Sequence, residues 1–154
     1  MKLSNKIIQL LIIALNGAFI GTMILIAIVL VPFWKAMQPQ EFLDWFSNYG
    51  DKIGSLMIPL GPGVLILAII ALIMDKKSKT LWGLTALFTL ANFLYFPVYY
   101  LPTNGSFAEQ TIAINEVSTE LVSWLKYHWQ RTFFAILALA SSILAVSKTM
   151  NFVT

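Results

Sequence analysis

An all-α, four-transmembrane-helix up-down bundle is the fold class predicted for this chain, on three observations. Hydrophobic residues make up 58% of its 154 positions and charged residues only 11%, too apolar a balance for a soluble domain of that size to cover its own surface. Four apolar runs, at about 7–31, 56–74, 81–101 and 129–147, approach or exceed the roughly twenty helical residues that cross a bilayer. Basic residues are spread unevenly between the ends of those runs, as a fixed orientation requires. So little chain lies outside the runs that residues 1–154 read as a single membrane domain.

The first run is longer than the apolar part of a cleavable leader, and no small-x-small site precedes Pro32, so a retained span is expected. Its Gly17 and Gly21 form a small-xxx-small pair, read as packing inside the bundle rather than as a dimer face; a homo-oligomer stays open. Two dozen residues follow as a first long loop. In it Pro39 suits an opening turn, and Phe42, Trp45, Phe46 and Tyr49 recur at helical spacing. A short amphipathic helix lying as a lid on the rim is expected, or else headgroup anchoring by Trp45 and Tyr49. Pro59, Gly61, Pro62 and Gly63 are expected to loosen or kink the first turns of the second span.

After a short lysine-bearing turn, the third span carries Thr85, Thr89, Asn92, Tyr95 and Tyr99 on one helical face. Facing lipid, that stripe would leave hydroxyls and an amide unpaired, so it must point into the bundle. Asn16 of the first span lies at a depth like that of Asn92, and a hydrogen bond between them is expected. In the second long loop, Ser106 and Glu109 match a capping box. From Val117 to Val146 there is no Gly or Pro, so the fourth helix should start outside the bilayer and enter it unbroken. Val31-Pro32 and Leu101-Pro102 close the odd-numbered spans alike, which hints at a doubled helical hairpin.

Lys2, Lys6, Lys76, Lys77, Lys79 and Lys148 fall on one side, against Lys35, Lys52, Lys126 and Arg131 on the other. The bias places both termini in the cytoplasm of a cell (inner) membrane protein, with the long loops outside. No basic patch with interleaved aromatics suggests nucleic acid. Cysteine is absent, which excludes disulfides and thiolate metal ligands.

The strongest functional lead is the stretch Leu121–Arg131, which holds the only histidine and the only arginine and leads into the fourth apolar run. On a helix, Glu116, Glu120, Trp124, His128 and Thr132 fall four apart, with Arg131 three from His128 on the same side. Distance argues against a carboxylate-histidine metal site, because Glu120 and His128 are about 12 Å apart along the axis and a metal would need ligands gathered from other loops. A lone histidine also rules out bis-histidine haem within one chain, although a second chain is left open as a source of ligands. The geometry does allow a general base. An imidazole titrates near neutrality, and the charge of Arg131 keeps His128 neutral and can hold an oxyanion. Trp124 offers an apolar face to an aromatic ligand. The competing reading makes the same residues a headgroup-level cluster with Arg131 reaching outward.

Leu101-Pro102-Thr103-Asn104 after the third span, then Trp124 and the string Tyr127-His128-Trp129-Gln130-Arg131-Thr132 entering the fourth, resembles the small four-helix membrane family of the anthrone oxygenases and many bacterial proteins. Span order and loop lengths extend the resemblance over most of the chain. The match covers Pro102, Asn104, Trp124, His128, Arg131 and Thr132; it departs at Tyr100, where the family often has Asn. The resemblance implies a flat, apolar, phenolic or quinone-like substrate at the outer mouth of the bundle and oxidation by dioxygen with no cofactor. His128 and Arg131 would be catalytic, and Asn104, Trp124, Thr132, Tyr100, Tyr99 and Tyr95 would bind substrate. The alternatives are a non-catalytic quinone- or lipid-binding accessory protein and, less well supported because no span holds an acid, a transporter. Membrane lipid is the one partner common to all of them.

Overall fold

A computed structural model describes residues 3–150, which are all-α. Helix α1 runs through Leu3–Leu25, a π-turn at Ile26–Leu30 and Val31–Ala36. Helix α2 is Pro39–Met74. Helix α3 runs through Lys79–Tyr95, a π-turn at Phe96–Tyr100 and Leu101–Ala108, and α4 is Val117–Met150. All four are long and apolar enough to cross a membrane. Each packs on its neighbour in sequence and α4 closes on α1, so that α1 lies diagonally from α3, and α2 from α4. Leu10, Ile28, Ile66, Ile73, Leu87, Val98, Phe133 and Leu144 are exposed around the outside, the apolar girdle that a lipid solvent requires.

The helices are longer than the expected spans because both long loops are largely helical extensions of them. Pro39 opens α2 where expected, and the Gln38 N–H donates to Glu41 Oε2 at 3.2 Å. No break follows, so the expected lid is the first three turns of α2 itself. Pro59 and Pro62 therefore sit in mid-helix, and α2 runs through them unbroken. Ser106 and Glu109 do not cap a helix start: they lie at the end of α3, where Gln110 adopts the left-handed conformation at φ 54° and the Thr111 N–H closes on the Ser106 carbonyl. That backbone closure satisfies the last carbonyls, which leaves no helix for Ser106 to start. Gln110 also bonds Gln40 and Asp44, tying this turn to α2. Gly17 and Gly21 face outward with open space beside them, so the expected packing inside the bundle is not found.

The two π-turns are the clearest echo between the halves. Each is followed at once by an aliphatic-Pro pair, Val31-Pro32 and Leu101-Pro102. In α3 the π-turn also decides which tyrosine faces inward. An uninterrupted helix would drift about 120° between residues 92 and 104; absorbing one extra residue cancels about 100° of it. Asn92 and Tyr100 are buried in consequence, and Tyr99 turns half outward instead of continuing the stripe of Thr85, Thr89 and Asn92.

At the lysine-rich end the four helices are knotted on one carboxylate. Asp75, in the α2–α3 turn, is buried; its Oδ2 accepts from Gln9 Nε2 of α1 at 3.0 Å, Trp82 Nε1 of α3 at 3.1 Å and Thr149 Oγ1 of α4 at 2.8 Å. Its Oδ1 accepts from the backbone N–H groups of Lys77 and Ser78. Burial pushes this carboxyl up, but the hydrogen bonds from Trp82, Thr149, Ser78 and Lys77 outweigh it and hold it below the ordinary aspartate value.

Candidate functional site

Above the middle of the bundle, measured from the lysine-rich end, α4 turns Trp124, His128 and Arg131 inward. The seventeen residues from Arg131 to Lys148 place the guanidinium about 26 Å from that end, and His128 stands a turn higher. Two further bonds fix this turn. Asn92 Nδ2 donates to the Arg131 carbonyl at 2.6 Å, and Thr132 Oγ1 donates to the His128 carbonyl at 2.7 Å. Asn92 is thus committed to α4 and not to Asn16, whose Nδ2 is buried without a partner, so the expected Asn16–Asn92 bond is absent.

The imidazole is defined on all sides. Trp124 stacks on it with ring centres 4.9 Å apart and planes 11° from parallel, and Tyr100 meets it edge-on at 6.4 Å. Its Nε2 lies 2.8 Å from the backbone carbonyl of Met23 in α1. A carbonyl only accepts, so Nε2 carries the proton and Nδ1 of the neutral ring carries a free lone pair. Nδ1 is buried and has no hydrogen-bond partner. Trp124 is itself fixed, by its Nε1 donating to Asn104 Oδ1 at 3.0 Å and by its carbonyl accepting from the Tyr100 hydroxyl at 3.1 Å. One indole face is therefore occupied by His128, and Trp124 fixes the plane of the imidazole.

Arg131 is 8% exposed, and its guanidinium carbon stands 4.6 Å from the centre of the Tyr100 ring and 6.0 Å from that of Phe19. Ring faces favour a cation but do not neutralise it. Its Nε is buried without a partner.

These groups line one cavity of about 70 Å³ on the bundle axis. Ile26 and Trp34 of α1, Phe96, Tyr100 and Asn104 of α3, and Trp124, His128 and Arg131 of α4 form three of its walls; Gly50, Ile53, Gly54 and Met57 of α2 form the fourth. No carboxylate lines it. Three of the five buried side-chain atoms without a hydrogen-bond partner among the described residues belong to this lining: Trp34 Nε1, His128 Nδ1 and Arg131 Nε. Orphaned polar atoms are rare in folded proteins, and their concentration in one cavity makes it the candidate site. Above it, Trp34, Phe42, Phe46 and Phe107 interlock with ring centres 5.1 to 5.8 Å apart, a roof that closes the far end.

The chain matches no family model, no curated protein and no solved structure.

Of the residues singled out in the sequence, the cavity brings together Asn104, Trp124, His128, Arg131 and Tyr100. Thr132 is buried but is spent on the His128 carbonyl. Tyr95 and Tyr99 do not reach the cavity. They line a separate groove on the outside between α3 and α4, with Tyr127 and Phe134, where Tyr95 bonds Gln130 and Tyr99 bonds Glu120. The π-turn at Phe96–Tyr100 is the reason for Tyr99. Sequence reasoning missed Trp34, the Met23 carbonyl, Gly50 and Gly54. The glycines carried a legible signal: Gly50, Ile53, Gly54 and Met57 repeat the i, i+3, i+4, i+7 spacing of Trp124, Tyr127, His128 and Arg131 on the diagonal helix. Among the described residues no group of His, Asp and Glu is placed to hold a metal ion.

Proposed function

We propose that this is an integral protein of the cell membrane, with both termini cytoplasmic, that binds a flat apolar phenolic molecule at the outer end of the bundle and oxidises it with dioxygen. The resemblance to the anthrone oxygenases suggests the chemistry. The observation that carries it is the pairing, in one cavity, of an unpartnered basic nitrogen, His128 Nδ1, with an uncompensated guanidinium, Arg131. A base beside a cation favours a ligand that gives up a proton and becomes an anion on the spot. That selects a phenol or its keto tautomer over a quinone, which has no proton to give.

His128 Nδ1 takes the acidic O–H or C–H proton, and Arg131 holds the resulting oxygen anion, with Trp34 Nε1 a further donor in the same wall. The delocalised anion passes electrons to dioxygen directly, so a ring methylene becomes a carbonyl and dioxygen becomes that carbonyl oxygen plus water. The cavity of about 70 Å³ is smaller than the roughly 150 Å³ that admits benzene, so the substrate's oxygen-bearing edge fits as the site stands and the ring requires the wall to widen. The second reading, a non-catalytic quinone- or lipid-binding protein, draws on Trp34 and Arg131 being donors, which suit a carbonyl oxygen as well as a phenolate.

Oxygen uptake with an anthrone, in detergent or nanodiscs, separates these. His128→Gln retains a donor for the Met23 carbonyl but lacks the basic nitrogen, and is expected to lower turnover by about 10²-fold or more. Turnover equal to wild type would rule out the proton-abstraction mechanism. Tight retention of the ligand with no oxygen uptake by the wild type would favour the second reading.

A further inference from the structure

The cavity is walled unequally. Its lining residues on α1 and α4 are buried: Ile26, Trp34, Trp124, His128 and Arg131. The half-exposed ones lie on α2 (Gly50, Ile53, Gly54, Met57) and α3 (Phe96, Asn104). The cavity therefore communicates with the outside along the α2–α3 seam, while the aromatic roof shuts it toward the far end.

That seam is built open. A Cβ placed on Gly54 would meet nothing within 4 Å, so the α2 wall beside it is bare backbone next to free space. Its depth is fixed by the lysine turn. Counting from Met74 and Lys79 at 1.5 Å per residue, Met57 and Phe96 lie about 25 Å from the lysine-rich end, Gly54 about 30 Å, and Gly50 and Asn104 about 36 Å. With an apolar thickness of about 30 Å, the lower lip of the opening lies in hydrocarbon and the upper lip among headgroups. Tyr49, with the Lys52 ammonium 4.6 Å from its ring centre, and Asp51 mark that boundary on α2.

We infer that the opening between α2 and α3 at Gly54 is a lateral portal, and that the substrate is a membrane-partitioned phenol with an apolar tail, its oxygenated head in the cavity and its tail passing the portal into the bilayer. The inference rests on the phenol-binding reading of the cavity. It follows from three facts: the cavity is too small for a whole lipid-like molecule, Trp34, His128 and Arg131 stand on the walls away from the seam, and the lower lip of the opening lies in hydrocarbon. From the far end of the bundle, a ligand would have to pass the interlocked rings of Trp34, Phe42, Phe46 and Phe107.

The absence of cysteine makes the test direct, since Gly54→Cys introduces the sole thiol. The full chain carrying Gly54→Cys, in nanodiscs, is reacted with a lipid-soluble pyrene maleimide. The reaction is run alone, with para-nonylphenol and with phenol, each at about ten times its own Kd measured by quenching of tryptophan fluorescence. The tailed phenol is expected to slow labelling by about tenfold, and phenol, which fills the head site alone, by less than about twofold. Equal effects of the two phenols, or a thiol that reacts only with a charged water-soluble methanethiosulfonate, would overturn the portal while leaving the site reading intact. Quenching by neither phenol overturns the site reading, and the portal with it. Ile53→Cys, on the same seam, repeats the measurement should Gly54→Cys fold poorly, and it must show the same ordering.

Discussion

Replacing Arg131 by methionine is expected to raise the thermal midpoint of the protein and at the same time to weaken phenol binding by about 10³-fold. The reasoning is that a cation buried without a counter-charge is a liability to the empty protein. Arg131 is 8% exposed, its Nε has no partner, and the cavity it lines contains no carboxylate. Substituting buried charges by apolar side chains of similar volume has stabilised other proteins by about 1–4 kcal/mol. Methionine fills the space, keeps contact with the Tyr100 and Phe19 rings and leaves the Asn92 bond to the residue 131 carbonyl in place. The oxyanion, by contrast, loses its charged donor, a loss of about 2–5 kcal/mol when the remaining charge is buried. Differential scanning fluorimetry in detergent and quenching titrations with a phenol check the two halves. A variant that melts lower and binds as tightly as wild type would make Arg131 a structural residue.

Asp75→Ala is expected to cost about 3–5 kcal/mol of stability, because it removes the one acceptor shared by Gln9, Trp82, Thr149 and two backbone N–H groups. Gln9 and Trp82 are then left buried without their acceptor. The same carboxylate sets an acid limit. Its native value is held below the ordinary aspartate value of 3.8, so the unfolded chain binds the proton more readily than the native one. The stabilisation is complete above the unfolded value, near pH 4, and is lost as pH falls through the lower native one. Thermal midpoints measured between about pH 3 and pH 7 should therefore fall at the acid end for the wild type and much less for Asp75→Ala. Parallel curves for the two proteins would show that Asp75 is not the titrating group.

The bundle was legible because apolar runs, lysine bias and the Gly/Pro-free stretch from Val117 all act through helical periodicity and the bilayer. The lead on His128 and Arg131 was legible for a related reason, since ionisable groups beside an apolar run stand out against it. What escaped has identifiable causes. A π-turn leaves no mark in residue type, so Tyr99 and Tyr100 exchange faces in a way that three- and four-residue spacing does not reveal. Gly50 and Gly54 act by what they omit, and their i, i+3, i+4, i+7 spacing with Ile53 and Met57 gains meaning only once α2 stands diagonally opposite Trp124 and His128. Asp75 carries no mark in the sequence because its partners Gln9, Trp82 and Thr149 come from three different helices. The proline-glycine run of the second span lies in mid-helix instead of at a helix start because α2 begins at Pro39, inside the stretch that the apolar run marks as loop.

The carboxylate knot has a mechanical consequence. With the four rods pinned at one extremity and the opening some 30 Å away, α2 behaves as a lever: leaning it by about 5° about that fulcrum moves its Gly54 level by about 2–3 Å, over half the width of a methylene chain. Dilation at the seam thus swings α2 as a whole, and its cost falls beyond the opening, where Gln40 and Asp44 bond Gln110 and the rings of Phe42 and Phe46 interlock with Trp34 and Phe107.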